Sequence, residues 1–258
     1  MENLVDRLLS EIQNRRRRIV VIGDVILDRW VIGKRDNCQD NCLKFIQESV
    51  VETPGGAANA ERCLSNWDVN TSLYGYAQND CPIKTRYVED GKIVFRVDDD
   101  GPKSRGDGYR WIRVVASEMV ASAGAVLLSD YDKGVLTPEF IRQISDLCKK
   151  REIPCVADCK RKPEVYEGCI MKGNEDWEKR NNIGLEGNIV ITRGHHRPSL
   201  GIEAVGGCLP LVPLVNHVGA GDCFAAHLTL ALAYGFSLKE AAAMAHSAGR
   251  VYVQFEHN

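Results

Sequence analysis

Four short apolar runs, separated by helical patterns, constrain the fold of this chain most. They occupy residues 19–22, 125–128, 154–157 and 188–191 and read IVVI, AVLL, PCVA and NIVI. Continuous apolar runs of this length are typical of strands buried on both faces of a parallel sheet. One intervening helix has a defined start, with Thr137 as N-cap and Pro138 at its first position. This alternation predicts an α/β sandwich around a mostly parallel central sheet.

Two segments, at about 29–51 and 83–98, interrupt the alternation. The second reads as a β-hairpin that turns at Asp90-Gly91. The chain has 258 residues, of which 44% are hydrophobic, and it contains no repeat or linker-like tract. We therefore interpret residues 1–258 as one domain, from which the two segments extend as a small β lid.

The net charge and the cysteines indicate which ligands, membranes and metals the chain can bind. The formal net charge of −2 gives no overall attraction to nucleic acid or to an anionic membrane, so we expect a small ligand held locally. No apolar stretch reaches a membrane span and the N-terminus is unlike a signal peptide, which predicts a cytoplasmic protein. The ten scattered cysteines indicate reduced thiols. A zinc site at Cys38/Cys42 or Cys155/Cys159 is the less favoured interpretation.

The segment Gly219-Ala220-Gly221-Asp222 is the strongest local signal for chemistry. Its small residues open a helix, whose first backbone N–H groups can hold an anion. Asp222 could take a proton from an attacking hydroxyl while those donors stabilise a phosphate. Taken alone, the segment fits equally well a plain glycine turn with an aspartate that favours the helix dipole.

Two further groups of residues lie where ligands bind in open α/β sheets. Asp24 and Asp28 follow the first buried strand and could accept hydrogen bonds from sugar hydroxyls, or serve as turn and capping residues. In the segment PGGAAN, Gly55 and Gly56 allow close approach of a ligand, and Asn59 offers a donor and an acceptor. Close helix packing is the alternative explanation for these glycines.

Together with SDYDKG at 129–134, these segments occur in an order that resembles the ribokinase-like (PfkB) carbohydrate kinases. The resemblance covers about residues 19–253 and is closest to the branch that phosphorylates D-glycero-D-manno-heptose 7-phosphate. It implies a ribokinase-like three-layer sandwich that uses ATP and Mg²⁺, and a β lid that can also form a homodimer contact. It also implies that Asp222 is the general base and that Gly219, Ala220 and Gly221 form the anion hole.

The resemblance implies further site residues on both sides of Asp222. The matching sugar-binding positions are Asp24, Asp28, Gly55, Gly56 and Asn59. Lys84 and Arg86 resemble residues that meet a substrate phosphate, although exposed cations are more often solvated. The positions that match the nucleotide side are Lys160, Asn174, Thr192, Arg193 and Gly194. A structural turn is an equal alternative for residues 192–194.

The chain departs from the family pattern at two places. Asn216-His217-Val218 replaces an Asp and a Thr ahead of the glycine segment, and Trp177 stands where a glutamate usually follows Asn174. We therefore assign no metal ligand. Two alternatives remain: a kinase for fructose, ribose or a nucleoside, or a sugar- or nucleotide-binding protein that has lost transfer activity. His195-His196, in a polar loop, is interpreted as a pair of plain surface residues.

Overall fold

The computed structural model describes residues 2–37, 42–75, 81–101, 110–184, 187–201, 203–206 and 217–255. The strands, in chain order, are β1 (Arg18–Gly23), β2 (Val25–Asn37), β3 (Leu43–Gly56), β4 (Asn70–Tyr74), β5 (Ile83–Glu89), β6 (Lys92–Asp99), β7 (Ala125–Ser129), β8 (Cys155–Asp158), β9 (Ile170–Asn174), β10 (Ile189–Arg193), β11 (His196–Leu200) and β12 (Glu203–Ala204). The helices are α1 (Glu2–Asn14), α2 (Ala57–Leu64), α3 (Arg110–Val120), α4 (Pro138–Lys150), α5 (Glu175–Asn181), α6 (Ala220–Ala233) and α7 (Leu238–Tyr252).

Eight strands form the central sheet, in the order β12-β11-β10-β9-β8-β7-β1-β4. The pairs from β4 to β10 are parallel, and only β11 and β12 at one edge pair antiparallel. The four apolar runs of the sequence lie in β1, β7, β8 and β10, so the predicted α/β sandwich is confirmed. Parallel strands buried on both faces favour continuous apolar runs, which explains why these strands could be recognised.

Helices cover both faces of this sheet and complete the three layers. Alternate residues of β1 point to opposite sides: Val21 packs in a core cluster with α1, α2, α6 and α7, and Val20 in a cluster with α3, α4 and α5. Helix α4 begins as predicted, because the Thr137 side chain accepts a hydrogen bond from the Phe140 N–H at 3.3 Å. Such a cap contributes about 1 kcal/mol.

A second sheet of four strands, in the order β3-β2-β5-β6, forms the predicted lid. The lid strands are longer than expected, because the antiparallel ladder of β2 and β3 continues from Asn37↔Leu43 to Val25↔Gly56. Only Asp24 lies between the end of β1 and the start of β2, so the lid is directly continuous with the central sheet. This continuity supports the single-domain interpretation, which remains a prediction.

The hairpin of β5 and β6 turns at the predicted Asp90-Gly91. Both residues have positive φ angles, 49° and 73°, as a two-residue hairpin turn requires. Three lid aromatics, Phe45, Tyr87 and Phe95, pack together, and the rings of Tyr87 and Phe95 stack at 4.1 Å between centroids.

Two predictions about composition can be compared with the described part of the chain. Cys155 and Cys159 are free and buried, as expected of small core residues, whereas Cys38 lies outside the described residues. No group of three or more His, Cys, Asp or Glu side chains that could hold a metal occurs among the described residues. None of the described helices is long and apolar enough to cross a membrane.

Candidate functional site

Asp222 lies in the first turn of α6, where three elements converge. The turn before the helix needs a glycine, because Gly219 has a φ of 86° and an added Cβ would overlap the Asn59 amide and the Tyr252 hydroxyl. The Tyr131 hydroxyl, from the loop after β7, donates to Asp222 Oδ1 at 2.5 Å. The Asn59 Nδ2, on α2, donates to Asp222 Oδ2 at 3.0 Å and to the Gly219 carbonyl at 3.3 Å. The carboxylate is thus fixed at both oxygens.

The surroundings of Asp222 raise the pKa of its carboxyl group. Burial raises the pKa of Asp222, the charge of Asp158 raises it further, and the hydrogen bonds from Tyr131 and Asn59 oppose the shift. The pKa of Tyr131 is raised well above its ordinary value by burial and by the charge of Asp222, so its hydroxyl remains a donor. A carboxylate with a raised pKa is the state expected of a general base in a water-poor site.

The lid brings Asp28, Lys84 and Arg86 to the same region. Arg86 Nη1 lies 2.6 Å from Asp28 Oδ1, and its guanidinium lies over the Trp30 ring at 4.9 Å. Both members of this ion pair are largely buried. The Lys84 ammonium lies over the Tyr131 ring at 4.5 Å, and burial lowers its pKa while Asp28 raises it. Lys84 therefore faces the site, whereas Arg86 already has a carboxylate partner.

A small cleft lies between the lid and the start of α6, next to Asn59, which donates to Asp222. It is lined by Asp28, Trp30, Thr53, Pro54, Asn59, Arg62, Val218, Gly219 and Tyr252. Arg62 donates to Asn59 Oδ1 at 2.9 Å, while its Nε is buried and has no hydrogen-bond partner among the described residues. The cleft thus combines an aromatic wall with groups that can donate and accept hydrogen bonds.

The structure gives packing reasons for the two glycines of β3. A Cβ on Gly55 would overlap the Asp28 carboxylate, and a Cβ on Gly56, whose φ is 58°, would overlap the Asp24 carbonyl. Close approach of β3 to β2 therefore requires both glycines, so the packing involves two strands and not the helix packing considered from the sequence. Neither lines the small cleft, and their contact with substrate remains a prediction.

Asp24 does not lie on the surface of the cleft. It is fully buried, and its carboxylate accepts backbone hydrogen bonds from Tyr131, Lys133 and Val135 at 2.9, 3.0 and 3.1 Å. Burial raises the pKa of Asp24, and these hydrogen bonds oppose the shift. In the structure Asp24 holds the loop that carries Tyr131, and its contact with a sugar hydroxyl remains a prediction.

On the other side of Asp222 lies a cavity of about 690 Å³. The five residues predicted on the nucleotide side all line it: Lys160, Asn174, Thr192, Arg193 and Gly194. Asp158, Lys172, Ala220 and Gly221 line it near Asp222, and His217, His246 and Arg250 lie along it as well. Its volume is in the range of small-molecule sites. The charge of Asp158 raises the pKa of Lys160, which keeps that side chain cationic.

Several polar groups of the cavity are already paired within the chain. The Asn174 side chain caps α5 by accepting from the Trp177 N–H at 2.9 Å. Arg193 contacts Glu175 at 3.3 Å and Glu178 at 2.8 Å. Asp158 accepts from Lys172, so Asp158, Glu175 and Glu178 each have a cation of the chain as partner. The described residues therefore do not form a site that fits Mg²⁺ by themselves.

His195 and His196 are exposed at the rim of the cavity, with ring centroids 3.9 Å apart. This exposure agrees with their interpretation as surface residues. Of the unusual triplet Asn216-His217-Val218, Asn216 lies outside the described residues.

The chain is similar to known proteins in both sequence and fold. No protein-family model matches the chain. The chain is 27% identical over 297 residues to the bifunctional protein HldE of Caulobacter vibrioides, with 92% of this chain and 60% of the relative covered. It is 26% identical over 283 residues to the bifunctional protein HldE of Nitratiruptor sp., with 92% and 61% covered. The chain thus spans about 60% of the length of these relatives.

Solved structures agree over nearly the whole chain. Arabidopsis thaliana ribokinase, complexed with ribose and ATP, has a TM-score of 0.70 at 17% identity, with 94% of each chain covered. The chain has the ribokinase-like fold. Phosphofructokinase-2 from Escherichia coli, in a tetrameric inhibited form, has a TM-score of 0.66 at 16% identity, with 93% of this chain and 94% of that chain covered. Relatives and neighbours fit the ribokinase-like carbohydrate kinase family, as the order of motifs predicts.

Within the ribokinase-like fold, sequence reasoning missed two residues of the site. Tyr131 was part of the SDYDKG segment, but only the structure gives it a partner in Asp222. No sequence pattern assigns a role to Lys172, which lies in β9. Its ammonium donates to Asp158 Oδ1 at 3.1 Å at the inner end of the cavity.

Proposed function

We propose that this chain transfers the γ-phosphoryl group of ATP to a hydroxyl group of a sugar or sugar phosphate, with Asp222 as general base. One observation supports the proposal: the start of α6, which carries Asp222, borders the small cleft on one side and the large cavity on the other. Gly219 lines the cleft, and Ala220 and Gly221 line the cavity. An acceptor in the cleft and a triphosphate in the cavity would therefore meet at the first turn of α6.

The proposed reaction needs positioning and charge stabilisation more than covalent help from the protein. The acceptor oxygen bonds to the γ-phosphorus, the bond from that phosphorus to the bridging oxygen breaks, and ADP leaves. Asp222 takes the hydroxyl proton. The backbone N–H groups at the start of α6 stabilise the charge on the phosphoryl oxygens. No step is assigned to Mg²⁺, which we propose only as a companion of the nucleotide phosphates.

A heptose 7-phosphate is the acceptor that the sequence resemblance favours. The HldE relatives and the cationic Lys84 beside the cleft are consistent with an acceptor that carries a phosphate. Arg62, whose Nη2 donates to Asn59, offers a second cation in the cleft, whereas Arg86 is held by Asp28. An acceptor without phosphate, such as fructose, ribose or a nucleoside, is the alternative within the same reaction.

A protein that binds sugar or nucleotide without transfer is the second candidate. The observation that favours it is the replacement of the expected glutamate by the buried Trp177, together with the absence of a three-ligand metal cluster among the described residues. Nucleotide binding without ADP release for any acceptor or metal would favour this candidate over the kinase.

The deciding experiment measures ADP release from MgATP against a panel of sugars and sugar phosphates that includes heptose 7-phosphate. We expect acceptor-dependent release, and we expect Asp222→Asn to lower kcat by about 10²- to 10⁴-fold while acceptor binding is retained. Asp146→Asn, at an exposed position of α4, is the matched control and should change neither. Unchanged turnover in Asp222→Asn would contradict the assignment of the base.

A further inference from the structure

Lys172 places a buried positive charge at the inner end of the large cavity. It belongs to β9, and only 3% of its side chain is exposed. Its ammonium donates to Asp158 Oδ1 at 3.1 Å, and this is its only hydrogen-bond partner among the described residues. An ammonium carries three donors, so two of them remain for a ligand that enters the cavity.

The ammonium of Lys172 also lies against the first turn of α6. A Cβ placed on Gly221 would come within 3.1 Å of Lys172 Nζ. The ammonium therefore lies close to the start of α6, where the first backbone N–H groups of a helix have no partner within the helix. Two kinds of donor, the peptide N–H groups and a fixed cation, lie close together beside the cavity.

The charges around this point explain why a cation is needed there. Asp222 and Asp158 are both buried, and the charge of Asp158 acts on Asp222. A phosphoryl group between them would meet two carboxylates and would be repelled. Lys172 neutralises Asp158 at close range, while Lys160 lies farther away, at 3.9 Å from the same oxygen.

We propose that Lys172 is a catalytic residue that donates hydrogen bonds to the γ-phosphoryl group during its transfer, with Asp158 as the residue that positions the ammonium. This inference rests on the proposed phosphotransfer and names a further residue for it. Lys172 keeps all three protons throughout, and the proton of the acceptor hydroxyl still goes to Asp222. If Lys172 served only to neutralise Asp158, its replacement would lower the stability of the protein. It would not lower the affinity for a ligand with a phosphoryl group more than the affinity for a ligand without one.

The test compares the affinity for ADP with the affinity for ADP plus magnesium and aluminium fluoride, which mimics the phosphoryl group in transfer. Calorimetry is carried out on the wild type, Lys172→Met and Lys172→Gln. The glutamine variant can still donate to Asp158, so it retains a partner for that carboxylate if the methionine variant fails to fold. Lys149→Met, at an exposed position of α4, is the control.

We expect the wild type to prefer the fluoride complex, and both Lys172 variants to lose about 10- to 100-fold in affinity for it, as for one lost charge-assisted hydrogen bond. Their affinity for ADP alone should change less than about threefold on the same scale. The inference is overturned by equal losses for both ligands, by no loss, or by a wild type without any preference.

Turnover separates failure of this inference from failure of the proposed function. If the wild type releases ADP in the presence of an acceptor but Lys172→Met keeps its kcat, the kinase assignment stands and the role of Lys172 is wrong. If the wild type releases no ADP with any acceptor, the kinase assignment fails, and the fluoride experiment still decides whether Lys172 contacts a phosphoryl group.

Discussion

Tyr131 links the two halves of the site through a single side chain. Its ring lies between two ammonium groups, 4.5 Å from Lys84 of the lid and 4.8 Å from Lys160 beside the large cavity. Its hydroxyl donates to Asp222, and Asp24 holds the backbone of its loop. Cation–π contacts of this kind contribute about 0.5–2 kcal/mol each. Tyr131 can therefore connect the position of the lid to the orientation of the base.

The pH dependence of turnover tests the environment of Asp222. Asp222 must be deprotonated to accept a proton, so kcat/KM should fall as the pH drops through its raised pKa. The hydrogen bond from Tyr131 lowers that pKa, so Tyr131→Phe should move the acidic limb of the profile to higher pH. The variant should also lower kcat, because one oxygen of the carboxylate is no longer held.

The profile of Tyr87→Phe, a tyrosine in the aromatic cluster of the lid, is the control for the loss of a hydroxyl. It should match that of the wild type. An acidic limb that stays in place, or moves to lower pH, in Tyr131→Phe would show that this hydroxyl does not stabilise the ionised base.

At the scale of elements, the buried ion pair of Asp28 and Arg86 joins β2 to β5. The two strands are parallel neighbours, with Asp28 opposite Lys84 and Trp30 opposite Arg86. The ion pair holds Asp28 and Arg86 on the face of the lid that also carries Lys84. Removal of one partner of a buried pair leaves an uncompensated charge, which costs more than the pair itself contributes.

A double-mutant cycle measures this coupling. We expect Arg86→Met to destabilise the protein by roughly 3–5 kcal/mol, because the Asp28 carboxylate is left buried and unpaired. The double variant Asp28→Asn/Arg86→Met should be less destabilised than the sum of the single variants. Denaturant unfolding gives the free energies, and Arg96→Met, at an exposed lid position, is the control. Additive effects would mean that the two side chains do not stabilise each other.

At the scale of the whole molecule, the outer face of the lid carries exposed apolar side chains. Val50 and Val97 are exposed by 42% and 50%. Strand register places Val50 opposite Val31 and Val97 opposite Thr85, so both lie on the face that points away from Asp28 and Lys84. Exposed apolar patches on a sheet favour contact with another protein surface. We therefore retain the homodimer through the lid as a proposal.

Sedimentation velocity tests the proposed dimer. We expect the wild type to sediment as a dimer and Val50→Lys/Val97→Lys to sediment as a monomer, because two buried charges on each side would oppose the contact. Val114→Lys, at an exposed position of α3, should leave the dimer intact. A wild type that remains monomeric at high protein concentration would contradict the proposal.

The sequence by itself determined the features that depend on a few neighbouring residues. Continuous apolar runs identified β1, β7, β8 and β10, the pair Asp90-Gly91 identified a hairpin turn, and Thr137 with Pro138 identified the start of α4. The glycines before Asp222 likewise indicated the start of α6. These features follow from local backbone preferences, so the printed sequence suffices to find them.

Only the tertiary structure decided which side chains meet. Tyr131 and Asn59 reach Asp222 from 91 and 163 residues away, and no local pattern specifies such distances along the chain. In the same way, packing turned Asp24 into an anchor for a loop, paired Arg86 with Asp28 and buried Lys172 beside Gly221. A carboxylate or an ammonium acquires its role from burial and from its partners, and both are set by how distant elements pack together.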